Sequence, residues 1–414
     1  MRQDNWRQRL EPVLHPDLKG LTGGRLLSVP ESLNYGGPKM SSGRFHISLF
    51  GLLSAATVAL LTFNIPTSQA EGRTGAVYVL TNQTSGNSVM VFHRDATGIL
   101  TPAASFVTGG AGTGSGLGSQ GAVQLSEDSR LLFAVNAGSN SISVFGVSGD
   151  RLTLLNTVSS GGVRPVSISA RHNLVYVLNA GGTPSISGFT ISHSTNGLVP
   201  LAGSTQVLPG GTGAGPAQVS FSPAGSVLVV TEKETNRLDT FTLNDDGIAQ
   251  AGVSFPSNGI TPFGFAFGHH DVAIVSDAFG GAAGASALSS YEVQENGNLL
   301  PVTGALGDTQ TAACWVVVPQ DGRFAFTSNT GSGTISSYSV LHGGSLSLLN
   351  AVAASTGSGS APTDMAVSEN SRFLYVLNSG NGTVSGFRVQ SDGALTPVTS
   401  AGVLPAGAVG LAAR

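Results

Sequence analysis

Two acidic side chains stand out in a chain whose charged residues make up only 10 %. Glu232 and Asp277 each close a short apolar run, LVVTE at Leu228–Glu232 and AIVSD at Ala273–Asp277. At four comparable places the closing residue is an asparagine: Asn136, Asn179, Asn329 and Asn378. Carboxyl groups set in such a ring could move protons at a bound substrate as general acid and base, while the asparagines offer hydrogen bonds to a ligand. A structural reading stands beside this one, because Asn and Asp end strands by capping turns with their side chains, as in NAGSN and NSGNG. Lys233 is the only lysine after Ala70. It is either a substrate-binding cation or the middle of an exposed ion-pair cluster with Glu232 and Glu234.

Several other signals fail on context. GLGSQG at Gly116–Gly121 matches a dinucleotide-binding pattern, but it precedes a strand rather than a helix and sits in no βαβ unit. No serine lies in a G-x-S-x-G nucleophile elbow. His269-His270-Asp271 falls in a turn where other repeats carry SPAGS or PQDGR. His93, His172, His193 and His342 have no partner at ligand spacing. No metal and no cofactor is expected. The single Cys314, between Ala313 and Trp315, excludes an internal disulfide and is expected as a buried small hydrophobe.

The elements that position the acidic residues are repeats. VYVLT at Val77–Thr81, LFAVN at Leu132–Asn136, VYVLN at Val175–Asn179, AFTSN at Ala325–Asn329 and LYVLN at Leu374–Asn378 join the two runs above as seven versions of one theme. A second theme lies upstream of most copies, as in RPVSIS at Arg164–Ser169 and APTDMAVS at Ala361–Ser368. A period near fifty with four short strands per unit is the mark of a β-propeller blade. Gly121 to Val158 gives the order: strand A (GAVQLS), strand B (LLFAVN), strand C (SISVFGV) and strand D (LTLLNTV), with Gly, Asn, Asp and Ser at the turns. Six units are complete. The first begins at strand B, and AGAVGLAA near the C-terminus resembles a strand A, so this last strand is expected to complete the first blade. The predicted fold is all-β, a seven-bladed propeller of four-stranded blades over 74–414, closed by the C-terminal strand.

In such a ring the D-to-A and B-to-C loops share one face. That face carries the long glycine-rich loops Thr108–Gln120, Leu208–Gly215 and Ser355–Ser360 and the insertion Ala278–Ser286, whereas the opposite face has tight turns. Loops longer than connection requires are where function concentrates, so a binding site is expected on the loop-rich face. Ahead of the propeller, 40–70 reads as a signal peptide: Arg44 and His46, then the apolar stretch Ile47–Phe63, then Ser68-Gln69-Ala70 as a cleavage site. An uncleaved segment would be the one expected route to a membrane. Residues 1–39 form a polar leader, with Met40 as the expected true start. Export to the periplasm or the exterior follows, and a monomer is expected. After Ala70 there are 12 Lys and Arg against 19 Asp and Glu, a net −7, which excludes nucleic acid as a partner.

From Ala76 onward, the YVLN-type strands, GPAQVSFSP, and the SPAG and PQDGRF turns resemble the seven-bladed lactonase family. That family includes 6-phosphogluconolactonase-like and carboxymuconate-lactonising proteins and overlaps with the YVTN propellers. The resemblance implies a hydrolase or isomerase acting on a lactone. Such enzymes carry G-P-R-H at the head of one strand A, where this chain has Gly215-Pro216-Ala217-Gln218, so the Arg and the His are missing. They carry an N-E pair at the end of the next strand B, where this chain has Thr231-Glu232. The resemblance thus implies Glu232 as an acid–base group and Gln218 among the substrate-binding residues; Asp277, a charge where Asn usually ends the strand, is expected beside Glu232 as a second acid–base group. Arg164, from another blade, would supply the missing cation, and Asp364, similarly placed, a base. A non-enzymatic exported scaffold, presenting its glycine- and serine-rich face to a glycan or a protein, is the alternative.

Overall fold

The computed structural model describes residues 74–402 and 404–414; the leader and the signal-like segment lie outside them. Seven antiparallel sheets follow one another. Blade 1 joins Val409–Ala413 to Gly75–Leu80, Ser88–Arg94 and Leu100–Val107. The ring closes as expected, with Tyr78 opposite Ala412 and Val79 opposite Leu411. Blades 2 and 4 to 7 are four-stranded. Blade 3 departs from the pattern, because its outer strand is broken into Leu198–Pro200 and Gln206–Val207, both paired to Ser185–Ile191. Pro200, which cannot donate to the ladder, ends the first piece, and Gly203 falls in the gap.

The strand B runs are continuously apolar because both of their faces are covered. In blades 1, 2, 4, 5, 6 and 7 all six residues of this strand are buried. A half-exposed strand would have to alternate instead. Strand D lies outermost and exposes most of its length, as in Leu100–Val107 and Leu346–Ser355. Tyrosines on strand B fasten neighbouring blades. Tyr176 Oη donates to the Gly247 carbonyl of blade 4 (2.7 Å), and Tyr375 Oη donates to that of Gly98 in blade 1 (2.9 Å). The second bond crosses the seam where the ring closes.

Candidate active site

Every strand B ends at the loop-rich face, and the side chains there form a built series. Asn136 Nδ2 donates to Ser143 Oγ, Asn329 to Ser336 and Asn378 to Ser385, each at 2.8 Å, and Asn179 reaches Ser187 at 3.4 Å. In blade 5 the polarity reverses, and Ser289 Oγ donates to Asp277 Oδ2 at 2.5 Å. Blade 4 places Glu232 and Asp239 in these two positions. Glu232 accepts from the Gly210 amide (3.0 Å) and from Thr235 Oγ1 (2.5 Å). All six strand-end residues and Asp239 are fully buried. The glycine-rich loops seal them: a Cβ on Gly210 would overlap the Glu232 carboxyl, and one on Gly259 would overlap that of Asp277. Glycine at these two places is a requirement of close approach.

Glu232 and Asp277 therefore do not meet at one pocket. Each lies in its own blade, with its own partners, and neither reaches solvent. Burial pushes Asp277 up to about 7, with hydrogen bonds from Ser289 and Ser257 partly offsetting it. Asp239 is also raised, first by burial and then by the adjoining Glu232 carboxyl. Ser254 partly offsets this, and the rise favours a proton on Asp239, the group that stands where Ser stands in other blades. Glu232 also occupies the strand-final place that Asn fills elsewhere.

The other expected site residues divide. Gln218 is buried and spends its amide on blade 5, accepting from the Phe265 N–H (2.7 Å) and donating to the Phe265 carbonyl (2.9 Å). Arg164 is exposed and held in the left-handed region (φ 56°), its N–H bonded to Asn140 Oδ1 (2.7 Å). Lys233 forms no ion pair with Glu232 or Glu234. Its ammonium turns to the channel head, donates to the Gly118 carbonyl (2.5 Å) and sits 4.8 Å from the Phe263 ring centroid. Burial lowers its pKa; Glu234 partly opposes that, and Arg164 adds to it.

The contact of Lys233 with Gly118 reveals what the sequence did not show. The end of the Thr108–Gln120 loop crosses the head of the central channel. Gln120 donates to the Val316 carbonyl (2.8 Å) and accepts from the Val316 N–H (3.0 Å), three blades away around the ring. Trp315 Nε1 donates to the Ser119 carbonyl (3.0 Å), and Ser119 Oγ donates to that of Val166 (2.8 Å). Asp364 lies beneath this plug. It is buried, accepts from the Gly410 N–H (3.0 Å), and is raised to about 7 by burial, with Gly121 and Trp315 among the groups that partly offset it. Lys233 thus bonds to this segment at Gly118, and Asp364 lies near enough to Gly121, three residues on, for that residue's backbone to lower its pKa.

Residues 74–211, a third of the chain, match the model of the family described as lactonase, 7-bladed beta-propeller. The chain is a seven-bladed propeller that resembles the lactonase family over that third. Among curated proteins it has no match. Solved structures share the lactonase-like propeller's fold. The periplasmic gluconolactonase of Pseudomonas aeruginosa is 19% identical at a TM-score of 0.64, over 81% of this chain and 99% of that one. A candidate 6-phosphogluconolactonase of Bacteroides fragilis is 18% identical at 0.64, over 83% and 98%. A corresponding protein of Bacteroides uniformis is 19% identical at 0.63, over 81% and 99%. At these identities the likeness is one of fold.

Two further places in the lactonase-like propeller bear on chemistry. Cys314 is buried, as expected, and burial pushes its thiol up to about 12. His342 is not isolated: its ring lies 6.0 Å from that of His270, which lies 6.1 Å from His269. Even so, no group of three His, Cys, Asp or Glu among the described residues is arranged to hold a metal ion.

Proposed function

We propose that this lactonase-like propeller is exported and opens or isomerises a lactone at the head of its channel, on the loop-rich face. The observation that carries the reading is the placement of Lys233 and Asp364 beside one segment, 118–121. A carboxyl with a pKa near 7 suits general acid–base work, since it takes and returns a proton near neutral pH. A partly desolvated ammonium, with Arg164 on the neighbouring blade, suits the carboxylate of an acidic lactone or the oxyanion that forms when water attacks the ring carbonyl. Asp364 takes the proton of the attacking water and returns it to the ring oxygen as the C–O bond breaks. Substrate reaches this pair when the 114–119 segment lifts. In this reading Glu232 and Asp277 hold the surrounding loops in shape.

Export rests on the signal-like segment 40–70. The periplasmic gluconolactonase of similar fold is consistent with it. The test is a pH-stat assay on a panel of neutral and carboxylated lactones. Wild-type protein is expected to hydrolyse at least one. Asp364→Asn should lower kcat by about 100-fold, within the usual range for general acid–base groups, and Lys233→Met should mainly raise KM for acidic lactones. Asp364→Asn at wild-type rate would remove Asp364 from the mechanism, and no turnover by wild type on the whole panel would end the lactonase reading.

A further inference from the structure

Below the plug the channel remains open as a cavity of about 500 Å³ that reaches the tight-turn face. Its wall has two sides. Blades 5, 6, 7 and 1 contribute only apolar residues, among them Phe267, Val317, Val367 and Ala413, all half-buried. Blades 2, 3 and 4 contribute the polar groups, including Gln124, Ser220 and Arg171. Arg171 is the only charged residue among those lining the cavity. Its Nη1 pairs with Glu127 at 3.1 Å, while its Nε is buried without an acceptor. The inner end is blocked by the amide of Gln120.

We propose that this blind channel is a second, separate ligand site for a small amphipathic carboxylate. The volume lies in the range of small-molecule pockets, which are typically concave, largely apolar and fixed by a few polar groups. Apolar wall left in water would be unfavourable by about 25 cal/mol per Å², and an aliphatic or aromatic tail lying against blades 5 to 1 removes that contact. The carboxylate head lies towards Arg171, whose guanidinium can donate to it beside its pair with Glu127. This site opens on the face opposite the proposed lactone site and does not depend on that reading.

The experiment is isothermal titration of the full chain with octanoate, and with octanol as the uncharged counterpart. Saturable one-to-one octanoate binding is expected, at least tenfold tighter than octanol. Arg171→Gln should remove that preference. Ala366→Phe, which fills the cavity from the opposite wall, should abolish binding of both, with circular dichroism confirming the fold. Octanoate binding that survives Ala366→Phe in a folded protein, equal affinity for octanol, or no binding by the wild type would each overturn the proposal. Unchanged lactone turnover in both variants would separate this outcome from the fate of the lactonase reading.

Discussion

Asp277→Asn offers the sharpest test of how the ring is held together. Asn at this place recreates the pair that Asn136 makes with Ser143, so the hydrogen bond to Ser289 can survive with its polarity reversed. What changes is the proton. Asp277 rises from 3.8 to about 7 because it is buried. Between about pH 4 and pH 7 the folded protein therefore keeps a proton that the unfolded chain has lost. The stability this confers is complete below pH 4 and is lost as pH rises through 7. One such proton gives a slope of about 1.4 kcal/mol per pH unit, and three units set a ceiling of roughly 4 kcal/mol. No discount for solvent screening applies, since the side chain is fully buried. Urea unfolding of wild type and variant at pH 5, 6, 7 and 8, followed by tryptophan fluorescence, isolates this proton because every other titrating group is common to both. The wild type should lose stability relative to Asp277→Asn across the series, and by pH 8 the variant should be the more stable. Parallel curves would refute the argument that burial holds a proton on Asp277.

Other consequences are as direct. Replacing Glu232 with Asn and Asp239 with Ser together recreates the neutral pair of blades 2, 6 and 7; it should remove a further part of the alkaline loss of stability, whereas Glu232→Asn alone leaves Asp239 buried and titratable and should remove less. Gly210→Ala should destabilise by about 1–3 kcal/mol through overpacking against the Glu232 carboxyl. Gly213→Ala, where a Cβ meets nothing within 4 Å, should be nearly silent in the same urea titration. Gln120→Ala leaves the Val316 N–H and carbonyl without their partner and should cost about 1–3 kcal/mol; hydrogen exchange should speed up at 115–120 while strand B amides stay protected.

The architecture could be read from sequence because the strand B theme is imposed by burial on both faces, which leaves a continuous apolar run such as LVVTE or LYVLN. The closing strand could be read because Val409–Ala413 repeats the composition of a strand A. The site was less legible. Glu232 drew attention as a charge where Asn is usual, yet the feature that explains it is Asp239, seven residues on, where other blades carry Ser. That pairing needs strand register, because the two lie on neighbouring strands and each looks ordinary alone. The glycine pairs Gly109-Gly110 and Gly161-Gly162, with Gly210-Gly211 at the matching place, are a sequence signal for sealed strand ends, but the first and last read simply as parts of long loops. Gln120 gave no signal, since its partner Val316 is 196 residues away. The same is true of Lys233 and Asp364, which only the plug brings together.

The pairing of Tyr78 with Ala412 sets an order in time as well as in space. These residues lie 334 positions apart, so the last sheet to be finished contains the first strand to emerge. Blades 2 to 7 can assemble from local hairpins as synthesis or export delivers them, and local contacts of this kind form quickly. Blade 1 must wait with an unpaired edge until Val409–Ala413 arrives, and such an edge invites association with other chains. The chain spends its most vulnerable interval with six blades built and one strand missing. Refolding should therefore show a late phase carried by blade 1, and its yield should fall with protein concentration.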